Sequence, residues 1–228
     1  MVTRLDPRRQ PSPARRVRDA RGFLTAELLV SMMVTVTAMG AALAVTEQVS
    51  RGYTTQLDNA LTQEEARFAL EWVETTLRAA GANPYDVATT DCPGVALQFQ
   101  AVRLDPNGNG LMDDLRLQAD VNPPNGLVGG VGGTCDEAGE DVTIAHDQAA
   151  KAITLLDNNL GGLPTPMTDG VITGLQFSYL DATRTPTNTA AAAAFVQVSV
   201  TAESPSGNRA SGAADTVTLT SEVRIRVR

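Results

Sequence analysis

Arg21-Gly22-Phe23-Leu-Thr-Ala-Glu27-Leu28, followed without a break by LVSMMVTVTAMGAALAV to Val45, is the stretch that organises this chain of 228 residues. From Phe23 to Val45 nearly every residue is apolar or small, and Glu27 is the only charge. At 1.5 Å per residue those positions make a helix of about 34 Å, long enough to cross a bilayer. Immediately before it, residues 1–22 hold seven Arg and two Asp, a net charge of +5. The other 206 residues carry 11 basic and 24 acidic side chains, a net charge of -13 within the overall -8. Basic residues resist translocation, so the Arg- and Pro-rich start is expected on the cytoplasmic side, with the acidic remainder across the membrane. A secretory signal places its cut after the apolar core. Here the basic segment runs straight into Gly22, and the apolar core comes afterwards.

Working outward, no Pro occurs between Leu24 and Asn83, and polar residues return after Thr46. Leu57, Leu61, Phe68, Trp72, Val73, Leu77 and Ala80 recur at three- and four-residue steps, with Glu64, Glu65, Arg67, Glu71, Glu74 and Arg78 between them. That is the pattern of an amphipathic helix. Gly81 and Pro84 supply its stop. One helix from about residue 24 to 80 is therefore expected, greasy all round in its first half and two-faced in its second. Beyond Pro84 the period changes to two. Val95–Arg103, Leu115–Ala119, Val142–Ala145, Ile153–Leu156, Val171–Tyr179, Phe195–Thr201 and Val217–Val227 read as strands separated by Asn-Gly and Gly-Gly turn signals. Residues 122–140 and 181–194 read as loops. The fold class is α+β: a long N-terminal helix whose second half covers one antiparallel sheet. The organisation expected is a basic leader at 1–22, a transmembrane and assembly half of the helix at 23–45, an amphipathic half at 46–81, and a β-rich globular domain at 82–228.

Gly22 and Phe23, with Glu27 and Leu28 at fixed distance and a long apolar run behind them, resemble the N-terminal signal of type IV prepilins and of the pseudopilins of type II secretion. Leu24-Thr25-Ala26 stands where Thr-Leu-Ile is usual in that motif. The resemblance implies a pilin-like fold and cleavage between Gly22 and Phe23 by a prepilin peptidase. It also implies N-methylation of Phe23. Glu27 would become the fifth residue of the mature chain and act in subunit assembly, pairing with a neighbour's terminal ammonium. An unpaired carboxylate deep in a bilayer is costly, so such pairing favours entry into a filament. Gln63-Glu-Glu-Ala-Arg67-Phe68-Ala69-Leu70-Glu71 and the helix end Arg78-Ala79-Ala80-Gly81 are similar to the PilW group of minor pilins.

The function implied is that of a minor pilin involved in pilus assembly or priming and in tip contacts such as adhesion, motility or DNA uptake. A J-type pseudopilin of type II secretion and a calcium-dependent, membrane-anchored adhesin domain stay open as alternatives. The partners implied are other pilins, the prepilin peptidase, the inner-membrane assembly platform and membrane lipid. The implied location is the inner membrane, crossed once with the N-terminus inside, and then the pilus or cell surface.

Two residue groups bear on sites outside this segment. Cys92 and Cys135 fit neither a redox pair nor a four-ligand zinc site, and in an exported body an even cysteine count reads as one disulfide. Asp105-Pro-Asn107-Gly-Asn109-Gly110-Leu111-Met-Asp113-Asp114 matches most of a calcium loop, with oxygen donors at alternate positions and Gly at the sharp turn. Asp105, Asn107 and Asn109, the Leu111 carbonyl, and Asp113 or Asp114 are the candidate ligands for Ca2+. Arg116 occupies the position where a full EF-hand has its bidentate Glu, so a plain hairpin loop is the other reading, and the two are compatible.

Enzymatic signatures do not accumulate. The chain has one histidine, His146, which is too little for a Ser-His-Asp mechanism. Gly129-Gly-Val-Gly-Gly133 has no Lys-Ser/Thr after it and so is not a phosphate loop. Aromatic residues make up 4% of an acidic body, which disfavours nucleic acid as a default partner. A non-enzymatic role is expected.

Overall fold

The sequence pattern of a Pro-free run ending at a glycine matches what forms. In a computed structural model, residues 25–90, 97–122, 124–128, 137–205 and 215–226 are described. Gly22, Phe23, Cys92 and Cys135, and with them the expected leader cleavage, methylation and disulfide, lie outside these residues. The chain divides into two units, Met1–Ser50 and Arg51–Arg228.

Within the first unit, the described residues are part of helix α1, which spans Thr25–Ala79. Every side chain from 25 to 50 is exposed, including Leu28, Leu29, Met32, Met33, Val36 and Leu43. Ser31, Thr35, Thr37 and Thr46 turn their hydroxyls back to main-chain carbonyls three or four residues earlier, at 2.7–2.9 Å. Their polar groups are thereby satisfied within the helix, and the segment as far as Val45 presents a largely apolar surface interrupted by Glu27. It is long and apolar enough to cross a membrane.

The second unit contains the rest of α1 and eleven strands. They are β1 (Thr89–Thr90), β2 (Leu97–Gln98), β3 (Val102–Leu104), β4 (Asp114–Gln118), β5 (Asp141–Asp147), β6 (Ala152–Asp157), β7 (Thr165–Pro166), β8 (Ile172–Leu180), β9 (Pro186–Thr187), β10 (Phe195–Glu203) and β11 (Thr216–Arg224). The expectation of one sheet is corrected. The strands form a five-stranded sheet in the order β3-β4-β5-β6-β7, a four-stranded sheet in the order β11-β10-β8-β9, and the small pair β1-β2. All pairings are antiparallel. Alternation alone identifies strands and their inward faces, and it does not say which strands share a sheet. The stretch read as a strand at 95–103 supplies two short ones, β2 and β3.

Both large sheets and the helix feed one core. On β10, Val196, Val198, Val200 and Ala202 are buried beside Phe177 of the neighbouring β8, in one core with Ile144 and Ile153 on β5 and β6. Tyr179 joins the two sheets by donating its hydroxyl to the Val102 carbonyl at 2.9 Å and accepting the Leu104 N–H at 3.2 Å. The helical stripe expected at 57–80 is corrected in part: Val73, Leu77 and Ala80 are buried as expected, and Leu57, Leu61 and Phe68 are not. The buried seam is Thr62, Ala66, Ala69, Val73, Leu77 and Ala80. Leu57, Leu61 and Phe68 are about half exposed, on another face, and Trp72 is half-buried. The seam thus mixes small side chains, Ala66 and Ala69, with the larger Val73 and Leu77.

Gly81 ends the helix for a specific reason. It has φ +74, a left-handed conformation, and a Cβ there would sit 2.4 Å from the Arg226 carbonyl oxygen and 2.9 Å from the Ala101 Cβ. Its N–H donates to the Gln118 carbonyl at 2.9 Å, so the helix end is tied to β4.

Candidate functional site

The apolar half of α1 carries the first group of expected site residues. Glu27 lies in the first turn of the helix and is exposed, as are Leu28 and the residues after it. A carboxylate near a helix N-terminus interacts favourably with the helix dipole, and here it stands among apolar neighbours. In the second unit, Leu57, Leu61 and Phe68 follow one another around a single face and leave a further apolar strip beside Glu64 and Glu65.

The loop between β3 and β4 gathers the second group. Asp105 begins it in a left-handed conformation with φ 48, and Gly108 and Gly110 follow at φ 72 and 81. Asp105 accepts the N–H groups of Asn109 and Gly110 at 2.9 and 3.0 Å. Asn107 Oδ1 accepts the Asn109 N–H at 2.8 Å, and Asn109 Oδ1 accepts the Leu111 N–H at 2.7 Å. The three side chains named at alternate positions thus bend the loop around themselves, which is the behaviour expected of a polar turn.

Asp113 and the Leu111 and Asn109 side chains are half-buried or exposed, whereas Asp114 is 3% exposed. Its Oδ1 is buried and has no hydrogen-bond partner among the described residues. Burial pushes its carboxyl above the usual range, a main-chain hydrogen bond from Asn107 opposes this, and the charges of Asp113 and Asp105 add to the rise. The loop therefore sets one buried, unsatisfied carboxylate near two others.

A second polar knot has no counterpart in the sequence reading. It lies where the end of β4, the start of β5 and the end of β6 meet, beside the residue pair that ties the helix end down: Asp120 donates its N–H to the Ala82 carbonyl at 2.7 Å. Asp120, Glu137, Glu140 and Asn159 are 1%, 7%, 1% and 0% exposed. Asp120 accepts the N–H groups of Asn125 and Gly126, both at 2.9 Å. Glu140 Oε1 accepts those of Val121 and Asn122 at 2.7 and 2.6 Å. Asn125 Nδ2 donates to Glu137 Oε1 at 2.9 Å, and Asn159 Nδ2 donates to the Glu137 carbonyl at 2.6 Å. Burial raises the Glu140 carboxyl above its ordinary range, the two main-chain N–H groups counter it, and Glu137 and Asp120 add to the rise.

Sequence reasoning misses this knot because its members come from 120, 137–140 and 159, separated by about twenty residues each. The run Asp136-Glu137-Ala-Gly-Glu140-Asp141 is the one available signal, and it reads equally well as a solvated loop.

Asp141, next to the knot, is separately satisfied. It is fully buried and accepts Arg116 Nε at 2.7 Å, Gln118 Nε2 at 2.9 Å and Asn158 Nδ2 at 2.8 Å. Arg116, which stands where an EF-hand would have Glu, is thus committed to an ion pair. His146 is half-buried on β5, with Nε2 3.0 Å from the Ile172 carbonyl oxygen, which accounts for it structurally. Among the described residues, no three Asp, Glu, His or Cys side chains converge as a ready-made metal cage. Comparison with family models, curated proteins and solved structures returned no match.

Proposed function

We propose that this chain is a PilW-like minor pilin of a type IV pilus, a non-enzymatic subunit that helps prime or cap the filament from the inner membrane. The observation that carries this reading is the make-up of α1. A single element begins with an exposed segment that is nearly all apolar or small as far as Val45, with Glu27 as its one charge there, and ends in the buried seam Thr62–Leu77. A simple membrane anchor needs no such continuity into the core of the exported body. A subunit that leaves the bilayer and packs in a filament needs apolar surface to bury against its neighbours; the second unit by itself carries a half-exposed apolar strip of Leu57, Leu61 and Phe68.

Gly22-Phe23 before this helix supplies the expected processing site. The partners proposed are other pilins, the prepilin peptidase, the assembly platform and lipid. The Asp105–Asp114 loop is proposed to take Ca2+, favoured by the unsatisfied Asp114 Oδ1. The same helix suits a J-type pseudopilin, and neighbouring genes for a pilus motor or for a secretin complex separate the two.

The deciding experiment is the intact mass of the chain purified from a strain with and without prepilin peptidase. The peptidase-positive strain is expected to yield a chain starting at Phe23 and carrying one methyl group. A full-length chain in both strains would refute the pilin reading.

A further inference from the structure

The edge of a sheet leaves main-chain donors and acceptors unused, and the outer strands of the two large sheets differ sharply in how much they leave. Strand β3 has three residues, and β7 and β9 have two each, with Pro166 in the first and Pro186 in the second. Strand β11 has nine residues and no proline, and its register against β10 is unbroken, from Thr216 opposite Glu203 to Arg224 opposite Phe195.

That register shows which groups are free. Ser204 donates its N–H to the Asp215 carbonyl at 2.9 Å, and Ile225 donates to the Ala194 carbonyl at 3.1 Å. Antiparallel pairing alternates, so the odd-numbered residues from 215 to 225 spend their main-chain groups on β10. Thr216, Thr218, Thr220, Glu222 and Arg224 turn theirs outward, and no main-chain group of a described residue meets them. Their side chains are exposed as well. From Thr216 to Ser221 the strand is uncharged and rich in β-branched residues, the kind of edge that folded proteins ordinarily blunt or cover.

Charge and symmetry select what covers it. Glu222 is paired with Arg184 at 3.3 Å, whereas Arg224 has no ion pair among the described residues. A second copy offers an edge of this length only in its own β11, through a two-fold axis. Full overlap then sets Arg224 against Thr216 and Glu222 against Thr218, and neither charge is matched. Setting Glu222 against Arg224 confines the overlap to residues 222–224. A two-fold pair also closes on itself and passes no contact along a filament.

We infer that β11 takes an extended strand from a different pilin subunit, with an acidic side chain across from Arg224 and hydroxyl or β-branched side chains across from Thr216, Thr218 and Thr220. The inference rests on the minor-pilin reading, which supplies such neighbours. Main-chain hydrogen bonds give the contact its strength, and Arg224 sets its register.

The test uses the full chain in cells that assemble the filament. Thr220→Pro removes one outward N–H and none that β10 uses, and proline is tolerated on an edge strand where the N–H faces solvent. Purified in detergent, the variant should melt close to the wild type. Its share in sheared filaments should fall about tenfold, the effect of one lost hydrogen bond that leaves its acceptor unsatisfied. If Thr220→Pro melts far below the wild type, Arg224→Glu, which leaves the main chain intact, takes its place with depletion expected. A photoreactive phenylalanine derivative replacing Thr218 should crosslink to a strand of a different pilin.

Normal incorporation of a well-folded Thr220→Pro or of Arg224→Glu overturns the inference, as does a crosslink only to a second copy of this chain, or to none. Leader cleavage is read by mass on the same samples. A chain cleaved before Phe23 whose variants incorporate normally sinks the strand contact alone; an uncleaved chain brings down the pilin reading and the contact with it.

Discussion

Replacing Gly81 with Ala should destabilise the body by an amount that separates two physical costs. The first is conformational: φ +74 is left-handed, and an L-residue there costs about 1–2 kcal/mol. The second is steric, because the new Cβ would lie 2.4 Å from the Arg226 carbonyl oxygen, a main-chain atom that cannot rotate away. To relieve it, the helix end must move from β4 or from the chain after β11. Either movement strains the Gly81 N–H to Gln118 bond at 2.9 Å and the Asp120 N–H to Ala82 bond at 2.7 Å. Losing one such bond costs about 0.5–1.5 kcal/mol, so the total is about 1.5–3.5 kcal/mol.

Gly161→Ala provides the control. Gly161 has φ +65 and nothing within 4 Å of the position a methyl group would take, so only the conformational cost of about 1–2 kcal/mol applies. Urea unfolding followed by the fluorescence of Trp72, the one tryptophan, reads both. With a slope of about 2 kcal/mol per molar urea, the midpoint should fall by about 0.8–1.8 M for Gly81→Ala and about 0.5–1 M for Gly161→Ala. Equal shifts for the two variants would refute the argument that the helix end is jammed against the C-terminal segment.

Other expectations rest on the same structure. Tyr179→Phe should cost about 1–3 kcal/mol, since it leaves the Val102 carbonyl and Leu104 N–H without their partner. Burial raises the Tyr179 hydroxyl above its usual value near 10, so the folded chain keeps its proton where the unfolded chain loses it. Its contribution is present below pH 10 and lost as pH rises beyond it. The wild type should therefore lose stability more steeply than Tyr179→Phe as pH rises above about 10, and parallel profiles there would contradict this. Arg116→Met should destabilise by about 3 kcal/mol by stranding the buried Asp141, with partial recovery in Arg116→Met/Asp141→Asn, as read by urea midpoints. Glu27→Ala should leave the protein in the membrane fraction yet deplete it from sheared filaments, and normal incorporation would count against a pairing role. Mass mapping without reductant should recover Cys92 linked to Cys135, and free thiols at both would refute the disulfide.

The helix, its stop at Gly81 and most strand positions are legible from local pattern, because period, chain-breaking residues and turn chemistry act over a few neighbours. The Asp105–Asp114 loop is legible for the same reason: its ligand candidates and its turn-forming hydrogen bonds all fall within ten residues. The helix face is not, because hydrophobicity alone favours Leu57, Leu61 and Phe68. Packing in the folded body instead buries Ala66 and Ala69, and only the tertiary structure reveals that.

What the sequence determined by itself, then, was the apolar run that precedes an acidic body, the unbroken helix, and the alternation of the strands. These depend on composition and spacing along one stretch of chain. Tertiary structure decided how the strands divide into two large sheets and a small pair, why residue 81 must be glycine, and that Glu137, Glu140 and Asn159 are buried, each with an oxygen that meets no donor among the described residues. Each of these depends on atoms brought together from distant positions, where burial removes the water that would otherwise satisfy a carboxylate.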